Sequence, residues 1–105
     1  MIARKWCAAA SKADAELYVR HFERKVAPAL KALPGHHGAW LLRRDRHGGV
    51  EFVALTLWSS RDSIKAFAGD DIGKAHVEPE ARAVLTKFDD TAEHYEVAVA
   101  ALWMS

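Results

Sequence analysis

The segment from Leu33 to Trp58 constrains the fold of this chain more than any other part of it. It reads as a Pro34-Gly35 turn, a strand through Trp40-Leu41-Leu42, a hairpin turn at Gly48-Gly49 and a second strand from Glu51 to Trp58. Side chains alternate across a strand, so Val53, Leu55 and Leu57 face one way and Phe52, Ala54, Thr56 and Trp58 the other. Both rows have to leave water. A single layer of helices covers only one of them, and a large exposed apolar face marks an association surface. The economical second cover is another copy of the same sheet, the two closing into a barrel.

The remaining elements alternate around this hairpin. Residues 1–10 read as a strand, and Ser11 with Asp14 three positions later gives a capping-box signal for a helix. Apolar residues at Ala15, Tyr18, Phe22, Val26, Ala29, Leu30 and Leu33 recur at three and four, so one stripe of that helix is buried. Pro28 interrupts it, because a proline ring removes a donor and clashes with the preceding turn, and is expected to open a second helical piece. Beyond Trp58, Ser59 or Ser60 caps a short helix carrying Ile64 and Phe67 that stops near Gly69. Pro79 opens another, with Ala81, Val84, Leu85 and Phe88 inward, and residues 95–103 form a last strand. The order is β-α-β-β-α-β, an α+β, ferredoxin-like plan with an antiparallel four-stranded sheet.

Composition narrows function before any motif does. The 105 residues, 50% hydrophobic and 28% charged, are expected to make one domain over 1–105, with 97–105 as a C-terminal strand extension. Fifteen Lys and Arg against fourteen Asp and Glu leave no electrostatic footprint for nucleic acid or an anionic membrane. No apolar run is long enough to span a bilayer, and the lone Cys7 suits a reducing compartment, so the expected location is cytoplasmic.

Several of these residues together resemble a known family. Met1-Ile2-Ala3-Arg4, the Pro34-Gly35 turn, Trp40-Leu41-Leu42-Arg43-Arg44, Leu57-Trp58, Ala66-Phe67-Ala68-Gly69 and His94-Tyr95-Glu96 look like the antibiotic biosynthesis monooxygenase (ABM) domain. The resemblance runs to about Val97 and implies a dimeric α+β barrel, with one pocket per subunit between sheet and helices. It implies as activity the oxidation of a quinol or polycyclic aromatic substrate without a cofactor. Haem-degrading enzymes and isomerases share that superfamily, so fold alone does not choose among them.

Candidate site residues follow from the resemblance and the pattern together. Trp58 ends the third strand where oxygenases of the family line their pocket with an indole, and with His76 it forms the expected catalytic pair. Trp6, Phe52, Ala54, Thr56, Ile64 and Phe67 are expected to contact the small aromatic or apolar ligand. Two positions depart from the family: Ala54 stands where its anthrone oxygenases carry an Asn, and Ile64 where they carry a Tyr. Neither can donate a hydrogen bond to an oxyanion. His76 is a general base on the oxygenase reading and a haem iron ligand on the alternative one, in which haem is the cofactor. The haem degraders' first-strand Asn and helix Trp are here Trp6 and Phe67. A non-catalytic ligand-binding homodimer is the third alternative.

The other polar residues carry blander expectations. His36 and His37 are adjacent on an extended segment and point to opposite faces, so no metal site is expected there. His47 belongs to the hairpin turn, and His94 shares a strand face with Glu96. Arg4, Arg43 and Arg44 read as charged edges that discourage further strand pairing, although an arginine beside a pocket can hold a carboxylate or propionate. Cys7 is assigned to packing.

Overall fold

Ten consecutive residues of alternating inward burial, Ile2–Ser11, form β1, the strand on which the sheet is assembled. The computed structural model describes residues 1–102. After β1 come α1 (Ala15–His21), a π-helical turn (Phe22–Val26), α2 (Ala27–Lys31), β2 (His36–Arg46) and β3 (Gly49–Trp58). Then follow α3 (Arg61–Ala68), α4 (Pro79–Val84), β4 (Lys87–Phe88) and β5 (Glu93–Glu96). The sheet is antiparallel in the order β2-β3-β1-β4, and β5 continues along the same edge of β1. This is the ferredoxin-like arrangement, with its fourth strand broken into two short pieces.

Pro28 divides the first helix as its chemistry requires, and α2 carries it in its first turn. The break is gentle. The ring would strike the carbonyl four residues back in a regular helix; the chain widens by one π turn instead, so that the Ala27 amide reaches the Phe22 carbonyl. At the start of α1 the capping signal is half realised: Ser11 Oγ accepts from the Asp14 amide at 3.2 Å, but the Asp14 side chain caps nothing. Ser60 caps α3 fully, exchanging hydrogen bonds with Ser63, and Gly69 ends it at φ 85°.

Three expectations need correction. The hairpin turn is His47-Gly48, both with positive φ, and Gly49 already pairs with Arg46 across the strands. A two-residue turn of this twist needs φ above zero at both positions, and His47 accepts it on an exposed tip. The last helix ends at Val84, leaving Leu85 extended and Phe88 in β4. There the open edge of β1 outbids the helix: the Thr86 and Asp89 amides bond to the Ala9 and Cys7 carbonyls at 2.8 and 3.0 Å. The final strand stops at Glu96; residues 97–102 form no strand, and Trp103 lies outside the described residues.

Inward-facing residues divide into two cores. Ala10, Ala15, Tyr18, Val50, Phe52 and Ala81 make one, at the hairpin end of the sheet. Ile2, Leu30, Trp58 and Ile64 make the other. On the far face Trp40 and Leu42 are 43% and 48% exposed, and Val53, Leu55 and Leu57 are only half-buried. Helices cover one face only.

Candidate functional site

Between the two cores the inward row of the sheet turns small or polar. Arg4 and Trp6 on β1 and Ala54 and Thr56 on β3 occupy it, and Ala54 pairs with Trp6 in register while Thr56 pairs with Arg4. Bulky Phe52 and Trp58 flank this stretch. The helices cannot collapse into the space left by Ala54, and a cavity remains. Tyr18, His21, Phe22 and Leu30 roof it, while Phe67, His76 and Glu78 lie toward its sides and opening. The cavity has a volume of ≈ 60 Å³. The enclosed space is therefore small, and its lining is mostly apolar with a few polar side chains among it.

The expected site residues separate into two groups. Trp6, Ala54, Thr56, Phe67 and His76 line the cavity. Phe52, Ile64 and Trp58 do not: all three are at most 1% exposed and belong to the flanking cores. The Trp58 indole N–H donates to Thr56 Oγ1 at 2.9 Å, and its ring lies between His36 and Phe67 at centroid distances of 5.0 and 6.0 Å. Its one polar atom is already satisfied, so Trp58 reaches the cavity only by fixing the Thr56 hydroxyl. Alternation puts all four β3 residues on one side, but only the tertiary packing decides which of them a neighbour covers.

His76 is exposed and rests edge-on against Phe67, 5.5 Å between centroids. A second imidazole sits deeper. The His21 side chain is 8% exposed, with Nδ1 3.5 Å from Glu80 and Nε2 3.9 Å from Glu78, and Nε2 is buried without a hydrogen-bond partner. These are the three residues among those described whose ligand atoms come close enough together to hold a metal ion. His21 was not among the sequence candidates, although its spacing of three from Tyr18 puts it on the same, buried face of the helix. Beside it, burial pushes the Tyr18 phenol far up, so it stays protonated and keeps an O–H to donate.

Arg4 is the other residue placed differently from its blander expectation. It is no edge charge. Its guanidinium is buried and donates through Nη2 to the Lys74 and Ile72 carbonyls at 2.9 and 3.3 Å, and it lies 5.6 Å from the centre of the Phe67 ring. The alternation Ile2, Arg4, Trp6, Ala8, Ala10 was the available signal, since it points Arg4 inward with the apolar row.

Arg43 and Arg44, in contrast, are edge charges with carboxylate partners in Glu16 and Glu51. His36 packs on Trp58, while His37 turns outward to Ser59 Oγ at 2.6 Å. They diverge, as adjacent strand residues must. Cys7 is half-buried on the far face, and burial raises its thiol above the ordinary value, which makes it a poor nucleophile.

The fold is an α+β sheet protein with a small cavity between sheet and helices, and it is the fold of solved structures described as antibiotic biosynthesis monooxygenases. The individual likenesses are all to solved structures. The chain superposes on a Bacillus cereus protein assigned as an antibiotic biosynthesis monooxygenase with a TM-score of 0.67 and 15% identity, over 99% of this chain and 97% of that one. It matches a variant of SnoaB, a cofactor-independent oxygenase from Streptomyces nogalater, at 0.66 and 18% identity over 94% of each. MhuD, a haem-degrader from Mycobacterium tuberculosis solved with two haems in its active site, matches at 0.59 and 26% identity, over 94% of this chain and 98% of that one. No protein-family model matches the sequence, and no curated protein does. No helix among the described residues is long and apolar enough to cross a membrane.

Proposed function

We propose that this protein is a cofactor-independent monooxygenase that oxidises a flat aromatic substrate, a quinol or an anthrone-like ring system, in the cleft between sheet and helices. The observation that carries this is the buried, unpartnered Nε2 of His21 in the wall of a small, largely apolar cleft. The fold shared with SnoaB agrees with it. Trp6, Ala54, Thr56 and Phe67 would contact the ring, with Trp58 holding Thr56 from behind. His76 stands at the opening. Phe52 and Ile64 serve as framework.

Such chemistry needs little from the protein except orientation, a base and exclusion of water. His21, oriented by Glu80, removes a proton from the activated ring carbon. The resulting carbanion bonds to dioxygen, and return of the proton gives a hydroperoxide. Loss of water then breaks the O–O bond, so that CH2 and O2 become C=O and H2O, the substrate supplying all the electrons. Protonated Tyr18 is a donor available in the same space, which neither Ala54 nor Ile64 could supply.

The test is oxygen uptake with a panel of anthrones and quinols. Wild-type protein is expected to consume oxygen with formation of the ketone, and His21→Gln, which keeps shape and loses the base, to slow it by about 100-fold or more. No uptake with any member of the panel, or full turnover in His21→Gln, overturns the reading.

A second reading is favoured by one pairing of observations, the exposed His76 at the cleft opening and the likeness to MhuD. His76 is the residue that would ligate haem iron there, and haem would supply the oxygen chemistry. Haemin titration decides it: a Soret shift lost in His76→Ala supports this reading, and no shift in wild type removes it.

We further assign the apolar far face to a second copy of the chain, which makes the protein a homodimer in the cytoplasm. Exposed Trp40 and Leu42 beside Val53, Leu55 and Leu57 support the first claim, and the single Cys7 the second.

A further inference from the structure

Arg4 is a buried cation with no counter-charge. It is 5% exposed, and among the described residues no carboxylate comes within ion-pair distance of it. Two neutral carbonyls occupy Nη2, and Nε is buried with no partner at all. Glu78 also borders the cleft, but its nearest basic partner is His21. Directly across from Arg4 in the β1–β5 pairing sits His94, whose Nε2 is likewise buried and unpartnered. Its burial first, and then Arg4 and Arg61, hold that imidazole below the ordinary histidine value. The surroundings therefore offer Arg4 repulsion or neutral dipoles. An uncompensated buried charge is strongly unfavourable, and this one opens onto the cleft.

We infer that Arg4 is the anchor for an anionic group on the ligand, a carboxylate carried by the flat ring system that the cleft admits. This rests on the aromatic-cleft reading and specifies its ligand class. The ring lies along Phe67 and Ala54, and the carboxylate accepts from the free side of the guanidinium, completing an ion pair that the folded chain leaves half made. Neutral aromatic compounds of the same shape enter the cleft but leave Arg4 unpaired, so they bind more weakly.

Fluorescence titration with anthracene-2-carboxylate and its neutral isostere anthracene-2-carboxamide tests this. Wild-type protein is expected to bind the carboxylate about tenfold tighter or more, the range of a charge-assisted hydrogen bond. In Arg4→Met that ratio falls to near one with carboxamide affinity retained, and Arg4→Lys keeps part of it through its point charge. A ratio near one in wild type, or a ratio that survives in folded Arg4→Met, overturns the anchor. Should circular dichroism show that Arg4→Met does not fold, the decision passes to the wild-type ratio and its decrease in Arg4→Lys; an undiminished ratio there counts against the anchor. Equal, measurable binding of both compounds removes the anchor and spares the aromatic cleft. Failure of both to bind removes the cleft reading and the anchor with it.

Discussion

Trp58 shows how a residue can be read correctly for position and still change its role. Its place at the end of an apolar strand marks it for burial, and it is fully buried, yet its indole N–H is spent on Thr56. Truncation to alanine would open a void between Ile2, Leu30 and Ile64 and is expected to cost roughly 3–5 kcal/mol. Urea unfolding measures this, and a loss below about 1 kcal/mol would show that the core closes over the gap. The half-buried histidines give a second prediction at this scale. His94 is depressed by burial and then by Arg4 and Arg61; His36 is depressed by burial and by His37, against a hydrogen bond to Gly38 that raises it. Both bind a proton less readily folded than unfolded. Below the unfolded value of about 6.5 the unfolded chain takes up protons first, so this stability is intact above that pH and lost as pH falls through the lower folded values. The urea midpoint is expected to fall between pH 7.5 and 5.5, and by less in His94→Gln. An unchanged wild-type midpoint would contradict the assignment.

At the scale of elements, the cap and stop of α3 were legible because their chemistry is local, whereas the hairpin turn lies one residue earlier than Gly48-Gly49 suggests. Ser60 and Gly69 bracket α3 where the sequence marks them. Gly35 is different, because its constraint reaches across the fold. At φ 81° it is in the left-handed region, a Cβ there would lie 2.6 Å from the Ser63 Cβ, and its carbonyl accepts from the Ser59 amide at 2.8 Å. The turn into β2 is thereby locked against the start of α3. Gly35→Ala is expected to destabilise by more than the roughly 1–2 kcal/mol of the left-handed penalty alone, because the α3 cap must also move. Gly48 shares the positive φ with open space around it, so Gly48→Ala should show the backbone penalty without the clash. Equal losses in both variants would remove the coupling between turn and helix. The end of α4 was not legible for the opposite reason. Leu85 to Phe88 continue a helical apolar pattern, and only the unpaired edge of β1 pulls them into an extended path.

For the molecule as a whole, the open sheet face makes the firmest claim about assembly. A homodimer through that face gives light scattering of twice the 11.7 kDa chain mass, and Leu42→Glu or Leu55→Lys should return it to the monomer value. Monomer mass for the wild type at micromolar concentration would remove the partner sheet from the proposal. Dimerisation and the cleft are separable, since the cleft lies on the helix face.

What the sequence determined by itself was the frame: strand alternation, turns, caps and the two apolar rows of β3 follow from backbone geometry and side-chain chemistry a few residues apart. It also marked Trp6, Ala54, Thr56, Phe67 and His76, which do surround the cleft. Only the tertiary structure decided that Phe52, Ile64 and Trp58 fill cores on either side, and that His21 and Arg4 end buried with nitrogens unsatisfied. The physical reason is that hydrogen-bond satisfaction is a property of the surroundings. Whether a buried nitrogen has a partner depends on residues tens of positions away, as the bonds from Arg4 to Ile72 and Lys74 illustrate, and no local pattern carries that information.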